Sequence, residues 1–136
     1  MTDLTVVAAD VRPLPRAVIS RFTAGGSINV GDAVYISGNK AVSQADGSSF
    51  ATSVAIGVLV AVGEEAASST IAASGDPVDV CVFGRCAGFT TSAGTAYFVD
   101  DDAGVIADGV GTKDCVVGIG EGSGVLFVRP QQIDMS

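Results

Sequence analysis

Few residues in this chain are of a type that carries out chemistry, and they do not form a known catalytic arrangement. None of the 136 residues is a histidine, which excludes a Cys/His zinc site and a histidine-based catalytic triad. Cys86 follows Arg85, a cation that would lower the pKa of the thiol, but a cysteine nucleophile also needs a base beside it. We therefore expect Cys86 to be a buried structural residue, and we predict no catalytic residue and no enzymatic activity.

The most concentrated charge is the run Asp100, Asp101 and Asp102. A calcium loop spreads its oxygen ligands over alternating positions and closes with a further acid. The residues that follow, Ala103 and Gly104, have no side-chain oxygen. We therefore expect a solvent-exposed hairpin tip here, and we predict no metal site.

Two glycine-rich segments, TAGGS at 23–27 and GIGEGSG at 118–124, contain the small residues of a phosphate-binding loop. Such a loop leads from a strand into a helix, whereas GIGEGSG leads into the strand-like sequence VLFV. Biotinyl and lipoyl carrier domains display a lysine in an MKM or DKA context, which neither Lys40 nor Lys113 has. We predict β-turns at the glycine-rich segments and no cofactor.

The composition indicates a surface that other protein covers. The chain is 48% hydrophobic, has 18 glycines and is only 16% charged, against roughly 25% charged residues in an ordinary globular chain. A large exposed apolar area usually marks a contact with another protein or subunit. The net charge of −8 argues against nucleic acid and anionic membranes as partners, because both attract basic surfaces.

Neither a membrane span nor a disulfide framework is expected. The longest apolar stretch, residues 54–62, contains nine residues, and a membrane-spanning helix needs about 20. The first ten residues carry acids where a secretory signal would carry lysine or arginine, so we expect no such signal. The odd number of cysteines, Cys81, Cys86 and Cys115, favours reduced, partly buried thiols made in a cytosol over a structural disulfide.

The length of the chain predicts one domain preceded by an extended segment. Residues 1–16 are predicted to form an extended N-terminal arm, although residues 4–9 could instead pair as an edge strand. Pro13 and Pro15 remove backbone donors and hold the segment extended, so it is suited to lie across a neighbouring protein. Residues 17–136 are predicted to form a single β domain.

Within this domain, short apolar or β-branched runs alternate with turns rich in glycine, asparagine and aspartate, which is typical of antiparallel β-sheet. The predicted strands are residues 17–22, 33–37, 40–44, 54–62, 78–83, 86–90, 95–99, 105–107, 115–120 and 124–128. The only helix expected lies at 64–74, where a mobile loop is an equal alternative. About ten short strands predict an all-β fold, a compact antiparallel β-sandwich or β-barrel.

Two of these strands lead to more specific expectations. Residues 54–62 are apolar at nearly every position, which is typical of a strand covered on both faces. We expect one of its faces to meet the core and the other to meet a second subunit. We expect Pro130 to end the last strand, because proline cannot donate a hydrogen bond to a neighbouring strand.

Two stretches of the chain resemble each other and predict degenerate β repeats at 22–63 and 89–124. The residues that align without a gap are Gly31, Ala33, Tyr35, Ile36 and Val42 with Gly94, Ala96, Phe98, Val99 and Val105. A two-residue length change in the next loop then aligns residues 56–58 with residues 117–119. Either a duplication or a chance likeness of two β-hairpins explains this match.

Four phrases of the sequence resemble the small capsid decoration, or cement, proteins of tailed bacteriophages. These phrases are RPLPRAVISRFTAGGSINVGDAVYIS, AIGVLVAVG, VDVCVFGRCAGFT and VLFVRPQ. The resemblance runs over most of the chain, about residues 4–131, and rests on glycine and strand phrasing with no catalytic motif. It implies an all-β protein that assembles as an oligomer, often a trimer, on the outside of a capsid and bridges neighbouring capsomers.

The resemblance leads us to expect a structural virion protein that is made in the host cytoplasm and decorates and stabilises a bacteriophage capsid. Its partners would be the major capsid protein and further copies of itself, as a homotrimer. In that family, extended terminal arms often make the bridging contacts, which would give the proline-containing segment a role. The candidate protein-contact residues are Leu4, Val6, Leu14, Ile19 and Phe22.

A second class of function is a receptor- or glycan-binding β module of a phage fibre or a bacterial surface protein. Sugar-binding sites usually offer aromatic side chains on which a sugar ring can lie. The chain has no tryptophan, and its two tyrosines are Tyr35 and Tyr97. A sugar-binding role would therefore depend on whether these two side chains are exposed.

Overall fold

The computed structural model describes residues 2–63 and 70–132, and most of the chain is β-sheet, which confirms the predicted all-β class. The strands are β1 (Thr5–Val6), β2 (Arg12–Pro13), β3 (Val18–Ala24), β4 (Ile28–Asn29), β5 (Ala33–Gly38), β6 (Ala41–Gln44), β7 (Gly57–Val62), β8 (Ile71–Ala72), β9 (Pro77–Ala87), β10 (Phe89–Thr90), β11 (Ala96–Val99), β12 (Ile106–Ala107), β13 (Cys115–Gly122) and β14 (Val125–Gln132). A 3-10 turn spans Ala8–Asp10, and one helical turn, α1, spans Phe50–Ser53.

Five strands close into a barrel in the order β9, β3, β6, β5, β7 and back to β9. All of these pairs are antiparallel except β3 with β6, which is parallel. The side chains of Leu59, Val78 and Val80 from this barrel are almost completely buried in the single hydrophobic core. Closure of a sheet leaves no unpaired strand edge, which explains how so many short strands form a stable unit.

Strand β9 is shared between this barrel and the rest of the fold. Its first half pairs with β3 and β7, and its second half pairs with β14 and β2. Gly84 lies in the second half with a φ of +119°, a conformation that glycine adopts without steric cost. The sequence predicted two strands separated by a bulge or turn at Gly84 and Arg85. The structure instead has one bent strand, because glycine lets the backbone bend without losing its neighbours.

A second ring of strands continues from β9 through β14, β13 and β11 to β12. The N-terminal residues complete this ring, since β1 pairs with β10, and Asp3 forms a bridge with Ala107. The Leu4 amide donates to the Ile106 carbonyl at 2.7 Å, and the Leu4 side chain lies in the core with 9% exposure. Residues 2–16, which we expected to reach a neighbouring protein, therefore lie against their own chain.

The two segments that align in sequence have the same strand arrangement. The central strands β5 and β11 each pair with two antiparallel neighbours, β6 and β7 in the first segment and β12 and β13 in the second. The pairs of β5 with β7 and of β11 with β13 coincide under the sequence alignment: Ala33–Val58 with Ala96–Ile119, and Val34–Gly57 with Tyr97–Gly118. We call these segments repeat 1 and repeat 2.

Backbone hydrogen bonds at the start of the central strand of each repeat also correspond. In repeat 1 the Gly31 amide donates to the Leu59 carbonyl, and the Leu59 amide donates to the Asp32 carbonyl. The corresponding bonds of repeat 2 join Gly94 to Gly120 and Gly120 to Thr95. Gly31 and Gly94, with φ of +98° and +79°, both require the left-handed backbone that favours glycine.

Three further expectations are corrected by the structure. The helical turn α1 lies outside residues 64–74, the stretch where a helix was expected; there Ile71–Ala72 is a strand, and residues 64–69 lie outside the described ranges. Strand β7, the part of 54–62 that forms a strand, is almost completely buried by this chain alone, with no second subunit needed. Strand β14 continues past Pro130 to Gln132, because the proline lies where the register with β13 shifts and no ladder hydrogen bond is required of it.

The repeated glycines Gly57 and Gly118 are a test of the strand spacing. A Cβ at either position would overlap a carbonyl oxygen of the adjacent strand, that of Cys81 or of Phe127. We expect Gly57→Ala and Gly118→Ala each to lower the free energy of unfolding by about 2 kcal/mol or more, measured by urea denaturation. Gly26→Ala is the control, since a Cβ at Gly26 meets no atom within 4 Å. Equal stability of all three variants would contradict this account.

The N-terminal strand provides a second test. Leu4→Ala removes a side chain that is buried where β1 closes the second ring, so we expect a loss of about 2–5 kcal/mol in the free energy of unfolding. Val7→Ala is the matched control, because Val7 is 47% exposed and its truncation leaves no cavity. A Leu4 variant as stable as the Val7 variant would show that the segment is not part of the folded core.

Candidate protein-contact surface

The outer side of the sheet formed by β9, β14, β13 and β11 carries apolar side chains. Directly opposed residues of antiparallel strands place their side chains on the same face. Across this sheet, Phe127 lies opposite Ile119, and Ile119 lies opposite Ala96. All three side chains are half-buried, so a row of apolar groups crosses three strands at the surface.

Two further apolar residues extend this row across β9 to β3. The ring of Phe83 contacts that of Phe127 edge-on, with the ring centroids 5.3 Å apart. Val18 on β3 lies opposite Phe83, and the two residues are each 50% exposed. We call the surface formed by Val18, Phe83, Phe127, Ile119 and Ala96 the open face.

The open face has a counterpart in repeat 1 that is fully covered. In the repeat alignment, Ala96 corresponds to Ala33 and Ile119 corresponds to Val58. On the adjacent strand, Phe127 pairs with Ile119, and Cys81 holds the same place because it pairs with Val58. The residues Ala33, Val58 and Cys81 have 0% exposure. The same face of the repeated unit is therefore covered by protein in repeat 1 and faces outward in repeat 2.

The two described acids on the strands, Asp79 and Glu121, are each paired with an arginine. Arg85, which lies opposite Phe127, binds both carboxylate oxygens of Glu121 at 3.0 Å, and Arg21 binds Asp79 at 2.9 Å. Such exposed pairs contribute only about 0–1 kcal/mol to stability. Their effect on the surface is larger, because they leave no uncompensated carboxylate next to the apolar side chains.

Acidic residues are otherwise confined to the connections between strands. The described ranges contain twelve of the 15 acids, and Asp79 and Glu121 are the two that lie on strands. The other ten are Asp3, Asp10, Asp32, Asp46, Asp76, Asp100, Asp101, Asp102, Asp108 and Asp114. Negative charge is thus concentrated in turns and loops, and the sheet surface carries little of it.

The five contact residues predicted from the sequence do not form one surface. Leu4 is buried in the core, and Val6, Leu14 and Phe22 are half-buried. Ile19 is 37% exposed. Sequence reasoning missed Phe83 and Phe127. A signal for Phe127 was present, because all four residues of the run VLFV at 125–128 are apolar. Since successive residues of a strand lie on opposite faces, such a run indicates a strand with two apolar faces.

The Asp100–Asp102 turn is more ordered than a solvent-exposed tip. Asp100 is 6% exposed, and its Oδ2 accepts a hydrogen bond from the Asp102 amide. Asp101 accepts hydrogen bonds from the backbone and the hydroxyl of Thr112. The prediction of a solvated tip is therefore wrong for Asp100, whose carboxylate is used to hold the turn together.

The pKa values of the Asp32 and Asp46 carboxylates are shifted from their ordinary values. Burial raises the pKa of Asp32 above its ordinary value, although hydrogen bonds from Gln44 and the Asn29 amide act in the opposite direction. Burial also acts to raise the pKa of Asp46, but hydrogen bonds from Ser48 and Thr52 outweigh it and lower that pKa. Both carboxylates organise local turns, so these shifts reflect structural roles.

A shallow cavity of about 480 Å³ lies between the 3-10 turn, β2 and β10. Its polar lining comes from Asp10, Arg12, Thr90 and Ser123, and all four residues are exposed. Small-molecule sites usually enclose most of their ligand. This cavity is a surface depression without that enclosure.

The two tyrosines offer little to a sugar ring. Tyr97 is 5% exposed, and its hydroxyl accepts a hydrogen bond from the Ser92 amide at 2.9 Å. Tyr35 is half-buried in β5. The aromatic side chains of the open face, Phe83 and Phe127, contact each other edge to face instead of presenting a flat platform.

All three cysteines are free and buried, as the sequence predicted. A hydrogen bond with the Cys81 thiol, together with burial, raises the pKa of Cys86 above its ordinary value. Burial likewise raises the pKa of Cys115. Arg85 does not activate Cys86, because Arg85 is bound to Glu121 on the outer face while Cys86, the next residue of the strand, points into the core.

No protein-family model matches the chain, and no curated protein is significantly similar to it in sequence. Within residues 2–63 and 70–132, no helix is long and apolar enough to cross a membrane. In the same ranges, no group of three or more cysteine and acidic side chains is placed to hold a metal ion.

The cysteines give a direct test of this description of the site. Because their thiols are buried and a thiolate is the reactive form, we expect a thiol reagent at neutral pH to react at least about a hundredfold more slowly with the folded protein than with the unfolded chain. Three thiols per chain should react after unfolding in urea. One rapidly reacting thiol in the folded protein would instead indicate an accessible nucleophile.

Proposed function

We propose that this chain is a structural virion protein that binds the outer surface of a bacteriophage capsid and stabilises it by bridging neighbouring capsomers. The observation that carries the proposal is the open face. Its half-exposed apolar side chains, Val18 and Phe83 at 50%, favour burial against protein, as in an assembly of many copies on a shell. The resemblance of four sequence phrases to capsid decoration proteins supports a phage shell as the setting.

The chemistry of the surface supports an assembly role over catalysis. The candidate nucleophile Cys86 is buried, and the acidic turn at Asp100 and Asp101 uses its carboxylates for backbone and hydroxyl hydrogen bonds. On a shell, many copies would bind side by side, so contacts that are individually weak would add up through avidity. A standard interface of about 1,600 Å² is within reach of a domain of this size.

Reconstitution with shells tests the proposal. We expect the purified protein to bind capsids of its own phage that lack it, to sediment with them, and to raise the temperature at which they rupture. The number of bound copies should saturate at a multiple of the capsomer number, because binding to a symmetric surface has a fixed stoichiometry. The measurements are co-sedimentation and thermal unfolding of the shells.

Shells that already carry the protein are the control, and they should bind no more of it. Failure to bind matched, undecorated shells under assembly conditions would overturn the proposal. A specific hit on a glycan array, in the absence of shell binding, would favour the receptor- or glycan-binding alternative.

A further inference from the structure

We propose that the open face is the surface on which a second copy of this chain docks. This inference rests on the proposed structural function and deepens it by naming the residues of the self-contact. The occupant is another copy of the chain, contacting Val18, Phe83 and Phe127 together with the Arg85–Glu121 pair that lies beside Phe127.

The first argument comes from the two repeats. Ala33, Val58 and Cys81 in repeat 1 have 0% exposure because the rest of this chain covers them. Ala96, Ile119 and Phe127 hold the same places in repeat 2 and are left half-buried. This chain itself covers one copy of this face, so a further copy of the chain is a chemically suitable cover for the other.

The second argument is electrostatic. Copies with a net charge of −8 repel each other, so they can associate closely only where the local charge is balanced or positive. The strands carry Arg12, Arg21, Arg85 and Arg129 and only two described acids, both paired with arginine. Contact between the acid-rich connections of two copies would bring like charges together. Contact through the open face would bring no uncompensated carboxylates together.

The third argument concerns the layout of the face. Aromatic residues and arginine are enriched at protein interfaces. Arg85, which lies opposite Phe127, and its partner Glu121 are 55% and 33% exposed. A second copy can therefore present a carboxylate to the arginine and an arginine to the carboxylate, without adding net charge.

The test compares charge insertions on and off this face. We expect the native protein to be an oligomer by sedimentation equilibrium, and Val18→Asp and Phe83→Asp each to raise its dissociation constant at least about tenfold. Val18 offers a second position because Phe83→Asp also removes the ring contact with Phe127. Ile36→Asp is the matched control, since Ile36 is 53% exposed on β5, outside the open face.

Each outcome decides the question. Thermal melting first establishes that the variants are folded. A native protein that stays monomeric at high concentration would overturn the inference. An Ile36 variant that dissociates as readily as the Val18 variant would also overturn it. Added salt should tighten self-association by screening the like charges. The proposed function is tested separately, by shell binding. If the protein is an oligomer that does not bind undecorated shells, this inference stands and the proposed function is wrong.

Discussion

Strand β9 must satisfy its backbone hydrogen bonds on both edges over eleven residues while its neighbours change halfway along. Unpaired backbone groups are costly inside a protein, so the chain must bring two strands to each half of β9. The barrel supplies β3 and β7, and the second ring supplies β2 and β14. The two halves are joined through this shared strand, and the core residues of both form one hydrophobic cluster.

The strands could be predicted from the sequence because their signal is local. Alternation and glycine-rich turns located β5, β6, β11 and β13 to within a few residues. The pairings between distant strands, such as β1 with β10 and β9 with β2, could not be predicted, because a short polar-apolar segment carries no signal for its partner. For the same reason, an extended N-terminal segment and a strand that completes a ring look alike in the sequence.

The contact surface was predictable in kind but not in place. Low charge and many apolar residues indicate that other protein covers part of the surface. Residues 54–62 and 125–128 are apolar at successive positions, which suggests strands with two apolar faces. Packing within the chain covers β7 on both faces and leaves the outer side of β14 half-exposed. Which of two similar strands is left at the surface depends on how the two halves pack around β9, and composition does not contain that information.

The closure of the second ring by β1 determines when this protein can finish folding. Residues 3–6 are synthesised before their partners at 89–90 and 106–107, which follow about 85 to 100 residues later in the chain. The first barrel, built from residues 18–83, has all its strands well before that moment. Residues 3–6 must wait unpaired until residues 89–107 have been made, so their pairing is a long-range closure, which is intrinsically slow.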